Sequence, residues 1–260
     1  MPDLIVNKMH YPIKGILFDK DGTLLDFIGL WGKWSESMYR HYESLLPEGK
    51  IGSLSELWGT LHDETGRIVD YSRTGPLAMG SIGDLLAIFA WQGYRLGLPW
   101  GESMRLARES KRLADEEMER VRPVFPMPGI VPFLKQCSEQ GLSIGIVTAD
   151  ETPEAVKHME WMGIRPYFKT IIGNDRVERG KPYPDMVEKA CLELGLAPSE
   201  VAVIGDTNGD MQMGNAAGAV VTIGIISEKA AFAGNGVLKD AKETVFSYDQ
   251  LRLEASRHEE

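Results

Sequence analysis

The sequence predicts an α/β fold with a mainly parallel sheet, split by a helical insertion. Three observations carry this reading. A short apolar run, Ile13-Lys14-Gly15-Ile16-Leu17-Phe18, is followed at once by polar residues and Gly22, as a buried strand ending in a turn should be. Beyond residue 140, short apolar strands alternate with helical patterns, which indicates parallel strands joined by helices. Between these regions, residues 27–124 show helical patterns and no clear strand.

The strand at 13–18 has no crossover partner nearby, so the simplest topology places it in the same sheet as the strands after 140. The core is then 1–26 plus 125–260, and the insertion is 27–124. Within the insertion, helices are expected over 31–46, 53–63, 81–95 and 99–121, broken by Gly and Pro. Five of the six tryptophans lie here: Trp31, Trp34, Trp58, Trp91 and Trp100. Most are expected in the core of a small helical bundle. Phe125-Pro126-Met127-Pro128-Gly129 stops helices and stiffens the chain, which suits a hinge between two bodies. A strand over 142–147, a helix over 153–162, a strand near 170–173 and a helix over 184–194 follow. Next come a strand over 201–205, a helix over 209–217, a strand over 219–225 and a last short strand near 244–248. The tail from Arg257 to Glu260 reads as a solvated end.

Composition narrows the function. With 43% hydrophobic and 25% charged residues, the 260-residue chain can bury a sizeable core and is not disordered. Its net charge is −10, and its basic residues form no cluster longer than two. That argues against nucleic acid as a main partner and against anionic membrane surfaces. A small phosphorylated ligand remains compatible, because one local site can oppose the global sign. Apolar stretches such as Leu85–Trp91 are far too short to span a membrane. The N-terminus carries Asp3 and lacks the apolar run of a signal peptide. Cys137 and Cys191 read as buried free thiols of a reducing compartment. A cytoplasmic protein is expected.

Ligands of parallel α/β sheets bind beyond the carboxyl ends of the strands. Asp19-Lys20-Asp21-Gly22-Thr23 follows the first strand, Thr148-Ala149-Asp150 the second and Asp206-Thr207-Asn208-Gly209-Asp210 the strand at 201–205; Gly180-Lys181-Pro182 opens the helix at 184. Four carboxylates (Asp19, Asp21, Asp206 and Asp210), a hydroxyl and a lysine are thus delivered to one sheet edge. Clustered carboxylates repel one another unless a cation lies among them. Hard oxygen ligands favour Mg2+, which usually takes few carboxylates plus substrate phosphate oxygens. A lysine and a hydroxyl at the same edge stabilise a transferring phosphoryl group. One aspartate can attack phosphorus while another moves the proton. The stretch Asp206-x-Asn208-x-Asp210 also resembles the start of a calcium loop, but Met211 and Ala217 stand where that loop needs Gly and Glu.

Phe18-Asp19-Lys20-Asp21-Gly22-Thr23-Leu24 resembles the first motif of the haloacid dehalogenase superfamily. Thr148 resembles its second motif, Gly180-Lys181-Pro182 its third and Gly205-Asp206-Thr207-Asn208-Gly209-Asp210 its fourth, in the family's order. The resemblance implies a Rossmann-like, doubly wound parallel core with an inserted all-helical cap, similar to the phosphoglycolate phosphatase and β-phosphoglucomutase group. It implies Asp19 as nucleophile and magnesium ligand, and Asp21 as general acid/base that also offers its backbone carbonyl to the metal. It implies Asp206 as a metal ligand and Asp210 as a metal-side acid. Thr148 and Ala149 would bind the phosphoryl oxygens together with Lys181, which neutralises charge around Asp19. An acid at Asp21 points to phosphate-ester chemistry, where the leaving oxygen needs a proton. The implied activity is a phosphatase acting on a small phosphorylated metabolite, phosphoglycolate-like or a sugar phosphate. A phosphomutase, or a non-catalytic binding protein on the same fold, stands as the alternative.

Lys20 departs from the family pattern, which more often has an apolar residue, and is expected to point to solvent. The five histidines show no metal-ligand spacing and receive no role. Arg73, in the loop segment Ser72-Arg73-Thr74-Gly75, is the first candidate for substrate specificity.

Overall fold

The computed structural model describes residues 1–226 and 238–255. His258 and the rest of the tail at 257–260 lie outside the described residues. Two compact units emerge: one joins Met1–Asp26 to the chain from Val124 onward, the other is Phe27–Pro123.

The first unit opens with a hairpin of β1 (Asp3–Val6) and β2 (Met9–Pro12), followed by β3 (Gly15–Phe18). Asn7 and Lys8 turn the hairpin at φ 48° and 71°. This is the left-handed two-residue connection that matches strand twist, made here without the usual glycine.

In the second unit, a π-helical turn at Ile28–Gly32 leads into α1 (Lys33–Leu45). Then come α2 (Leu54–Trp58), β4 (Thr60–His62), β5 (Ile68–Tyr71), α3 (Pro76–Met79), α4 (Ile82–Arg95) and α5 (Trp100–Val121). The expected helix at 53–63 is therefore corrected: Gly59, left-handed at φ 77°, ends it after five residues. The chain beyond pairs in an antiparallel hairpin, β4 with β5. A short amphipathic stretch fits either state, and the glycine decides. Trp58 stacks between Trp34, at 5.5 Å, and Phe89, at 4.5 Å. These three rings stack within the core of this unit, beside Met38 and Tyr42, whereas Trp91 and Trp100 are about half exposed and lie outside it.

The chain returns to the first unit through α6 (Ile130–Glu139), β6 (Ser143–Val147), α7 (Thr152–Trp161) and β7 (Thr170–Ile172). It continues through α8 (Asp185–Leu194), β8 (Val201–Gly205), α9 (Asn208–Ala217), β9 (Val221–Ile225), β10 (Glu243–Val245) and β11 (Leu251–Glu254). Asp26 N–H donates to the Phe125 carbonyl at 2.8 Å and Met127 N–H to that of Leu24 at 2.9 Å. The two strands of chain that leave and re-enter this unit are thereby tied together. Helix α6 adds to the elements expected from the sequence, and Ile130, Phe133, Leu134 and Cys137 are buried along it at helical spacing. Pro132 falls in its first turn, where no intrahelical N–H is needed.

The main sheet has the order β10-β9-β8-β3-β6-β7, all parallel. A separate antiparallel sheet, β11-β1-β2, recruits both ends of the described chain. Strand β3 is buried at all four positions, as a central parallel strand covered on both faces must be. Leu17 joins Met186, Val187, Ala190 and Cys191 of α8 and Met213 of α9 on one face. Phe18 points the other way and meets Phe133 of α6 edge-on at 6.3 Å, with Tyr248 at 6.4 Å. Helices thus cover both faces, which is the doubly wound arrangement expected. Each such fully buried side chain contributes about 1.5–3 kcal/mol. Among the described residues, no helix is long and apolar enough to cross a membrane.

Candidate active site

Connections run from β3 to one side of the sheet, through β6 and β7, and then return to the other side at β8. The carboxyl end of β3 is therefore the topological switch point, where the diverging connections leave a crevice. Asp19 is the first residue beyond β3. Its backbone N–H still donates to the Ile204 carbonyl of β8 at 2.8 Å, which anchors the residue while its side chain enters the crevice.

The turn that follows is tight. Leu24 N–H donates to the Lys20 carbonyl at 2.9 Å, and Gly22 N–H to that of Leu25 at 2.9 Å. Gly22 has φ 82°, and a Cβ there would collide with the Asp206 carboxylate. Only glycine supplies both the left-handed backbone and the space. From below, the Tyr248 hydroxyl donates to the Thr23 carbonyl at 2.9 Å.

Lys181 sits among the acids. Its Nζ is 2.5 Å from Asp19 Oδ1 and 2.5 Å from Asp210 Oδ1. The second oxygen of Asp210 accepts from the Thr207 N–H at 3.0 Å and the Thr207 hydroxyl at 2.6 Å. Asp210 thus closes the capping box of α9 and aims the ammonium at Asp19. Burial pushes the Asp19 carboxyl up to about 7, and Asp210 and Asp21 add to this while Lys181 opposes it. Burial works against the Lys181 charge, but Asp19 and Asp210 outweigh it and hold the ammonium above its ordinary value.

Carboxylate oxygens of Asp19, Asp206 and Asp210 lie within 4.8 Å of one another. Three carboxylates face one ammonium, so the group carries surplus negative charge when all are ionised. An all-oxygen, acidic donor set of this kind fits a small, hard divalent cation.

Asp21 faces a different partner, and here one expectation is corrected. Lys20 does not point to solvent; it is fully buried. Its Nζ lies 2.8 Å from each carboxylate oxygen of Asp21, 3.1 Å from Asp150 Oδ2 and 3.2 Å from His158 Nδ1. Burial opposes the Lys20 charge, yet Asp21 and Asp150 raise its pKa. Burial drives His158 down to about 3, helped by the Lys20 ammonium. The imidazole is therefore neutral, with Nδ1 accepting from Lys20. The sequence signal for His158 was its spacing: with Ala155 and Met159 it lies on the buried face of α7.

Thr148 is buried at the end of β6, and its Oγ1 accepts from the Asp150 N–H at 3.1 Å. Because Phe18 pairs with Ile146, Thr148 stands one residue farther along its strand than Asp19 does along β3. Ala149 is exposed at the same edge. Arg73 belongs to the 27–123 unit, in the turn after β5. Its guanidinium donates to Asp70 Oδ1 at 3.1 Å and to the Tyr71 carbonyl at 3.0 Å, and lies 3.6 Å over the Tyr71 ring.

The haloacid dehalogenase-like hydrolase model matches residues 13–218. A phosphoglycolate phosphatase of Salmonella typhi is 32% identical over 216 residues, covering 82% of this chain and 81% of that protein. Another, of Shigella dysenteriae serotype 1 (strain Sd197), is 28% identical over 209 residues, 79% of each chain. The fold is shared with CbbY from Rhodobacter sphaeroides, solved in complex with phosphate, at a TM-score of 0.63 and 19% identity over 91% of this chain and 95% of that one. It is likewise shared with β-phosphoglucomutase from Clostridium difficile, at 0.60 and 19% over 92% and 93%. With the family model spanning residues 13–218 and one of these relatives 32% identical over 81% of its length, this protein belongs to the haloacid dehalogenase-like hydrolases.

Proposed function

We propose that this hydrolase is a magnesium-dependent phosphatase that cleaves a small phosphorylated metabolite, phosphoglycolate-like or a sugar phosphate, through an aspartyl-phosphate on Asp19. The observation that carries the reading is Lys181, bonded to both Asp19 and Asp210 beside Asp206 at the switch point. In this reading Asp19 attacks phosphorus and the bond to the ester oxygen breaks. Asp21 gives that oxygen a proton. Water then attacks the aspartyl-phosphate, Asp21 takes its proton, and the bond between phosphorus and the Asp19 oxygen breaks to release inorganic phosphate. Thr148, Ala149 and Lys181 hold the phosphoryl oxygens. Asp19, Asp206, Asp210 and the Asp21 carbonyl would hold Mg2+, which supplies charge neutralisation at the transferring group.

The 27–123 unit acts as the cap that excludes water and selects the substrate, with Arg73 as its first specificity candidate. Two buried free thiols support a reducing, cytoplasmic setting. The test is hydrolysis of p-nitrophenyl phosphate with Mg2+ and release of inorganic phosphate across a panel of phosphorylated metabolites. Wild-type turnover retained by Asp19→Asn would refute the mechanism. Conversion of glucose 1-phosphate to glucose 6-phosphate without phosphate release would replace the phosphatase by a mutase.

A further inference from the structure

We infer that Lys20 is a positioning residue that clamps the proton-transferring carboxylate of Asp21 through a buried ion pair. The inference rests on the reading of Asp21 as acid/base and adds a residue to that machinery.

The geometry is specific. An ammonium has three donors, and those of Lys20 meet the two oxygens of Asp21 at 2.8 Å each, Asp150 Oδ2 at 3.1 Å and His158 Nδ1 at 3.2 Å. The Lys20 side chain is 0% exposed and that of Asp21 18% exposed. The cation is thus wholly inside the protein, while the carboxylate it holds still reaches the open side. Asp150 and His158 come from the end of β6 and from α7, so the rigid part of the sheet anchors the clamp. Stability alone does not explain a lysine here. Apolar side chains in place of the whole Lys20–Asp150–His158 group would fill the same pocket without the desolvation cost of a buried ion pair, and such whole-group replacements are often neutral or stabilising, whereas removing Lys20 alone strands Asp150. What an apolar residue cannot do is fix the rotation of a neighbouring carboxylate, and proton transfer depends on that orientation.

The consequence is selective. When Asp21 carries the proton, one of its oxygens keeps the Lys20 contact and the other holds the proton toward the leaving oxygen, so the clamp matters when that oxygen is a poor leaving group and matters little when it departs readily as a stable anion. Phenyl phosphate and p-nitrophenyl phosphate have nearly the same shape but leave as a weak and a much stronger acid. With Lys20→Met, kcat/KM for phenyl phosphate should fall at least tenfold more than for p-nitrophenyl phosphate. In an Asp21→Asn background, where no carboxylate remains to orient, Lys20→Met should change p-nitrophenyl phosphate turnover less than twofold. Equal losses on both esters, or an undiminished loss in the Asp21→Asn background, would show a merely structural lysine and overturn the inference. If Lys20→Met fails to fold, Asp150→Asn takes its place. It keeps the lysine and removes its second carboxylate, so the same split should appear at smaller size, and equal losses overturn the inference. A wild type inactive on both esters would overturn the phosphatase reading and this inference together. An active wild type with equal losses overturns this inference alone.

Discussion

The ammonium of Lys181 lies 2.5 Å from Asp19 Oδ1, and the same ammonium is shared with Asp210. The nucleophile candidate is thus buried beside a cation, in contact with it before any substrate arrives. Replacing the cation by a neutral chain of similar length leaves two buried carboxylates facing each other. Lys181→Met is expected to reduce kcat for p-nitrophenyl phosphate by about 10²–10³, the scale of removing one preorganised charge-stabilising donor. It should also lower the midpoint of urea unfolding, because a buried carboxylate loses its partner.

Gly22 and Asp206 are packed so closely that no side chain fits between them. Gly22→Ala adds a methyl group into the Asp206 carboxylate at a backbone φ of 82°. The expected result is a loss of about 1 kcal/mol or more in stability. Calorimetry should also show Mg2+ affinity weakened about tenfold, as one metal-side carboxylate is pushed out of place.

Asp19 is raised to about 7 by burial, with its acidic neighbours adding to the shift. Below that value it holds a proton that a bound cation must displace. Apparent Mg2+ affinity should therefore rise with pH up to about 7, by up to about tenfold per unit, and level off above it. Titration calorimetry at pH 5, 6, 7 and 8 reads this directly. A flat profile would mean that Asp19 is not a ligand.

His158 stays neutral down to about 3 because it is buried and faces the Lys20 ammonium. The unfolded chain protonates this histidine near 6.5, so protons favour the unfolded state between the two values. Its contribution to stability is present above 6.5 and is lost as pH falls through that window, at no more than about 1.4 kcal/mol per pH unit. Urea unfolding of His158→Gln should show a shallower loss of stability between pH 6 and 4 than the wild type does.

Both cysteines are buried, and burial raises the Cys137 thiol to about 12 and the Cys191 thiol to about 11. Neither offers thiolate at neutral pH. Native protein treated with iodoacetamide should stay unmodified by mass spectrometry, and both sites should react after denaturation.

Much of the site was legible because its residues sit directly after apolar strands. Asp19 follows the run ending in Phe18, and Asp206 follows the one ending in Gly205. A parallel sheet brings such ends together without further information. The missing elements share a different cause. The β11-β1-β2 sheet depends on pairing between residues nearly 250 apart in sequence, which no local pattern contains. The β4–β5 hairpin turns on Gly59 cutting short a helix that its neighbours favour equally well.

Lys20 divides the two kinds of knowledge most sharply. The sequence by itself determined that an acid-rich edge would form at the ends of β3 and β8, because strand period and turn residues are local properties. It did not determine which way the side chain after Asp19 would point. That direction was decided by the turn at Gly22 and by Asp150 and His158, which lie 130 and 138 residues away. An ammonium is buried only where opposite charge and acceptors already wait for it, and only the folded chain assembles them.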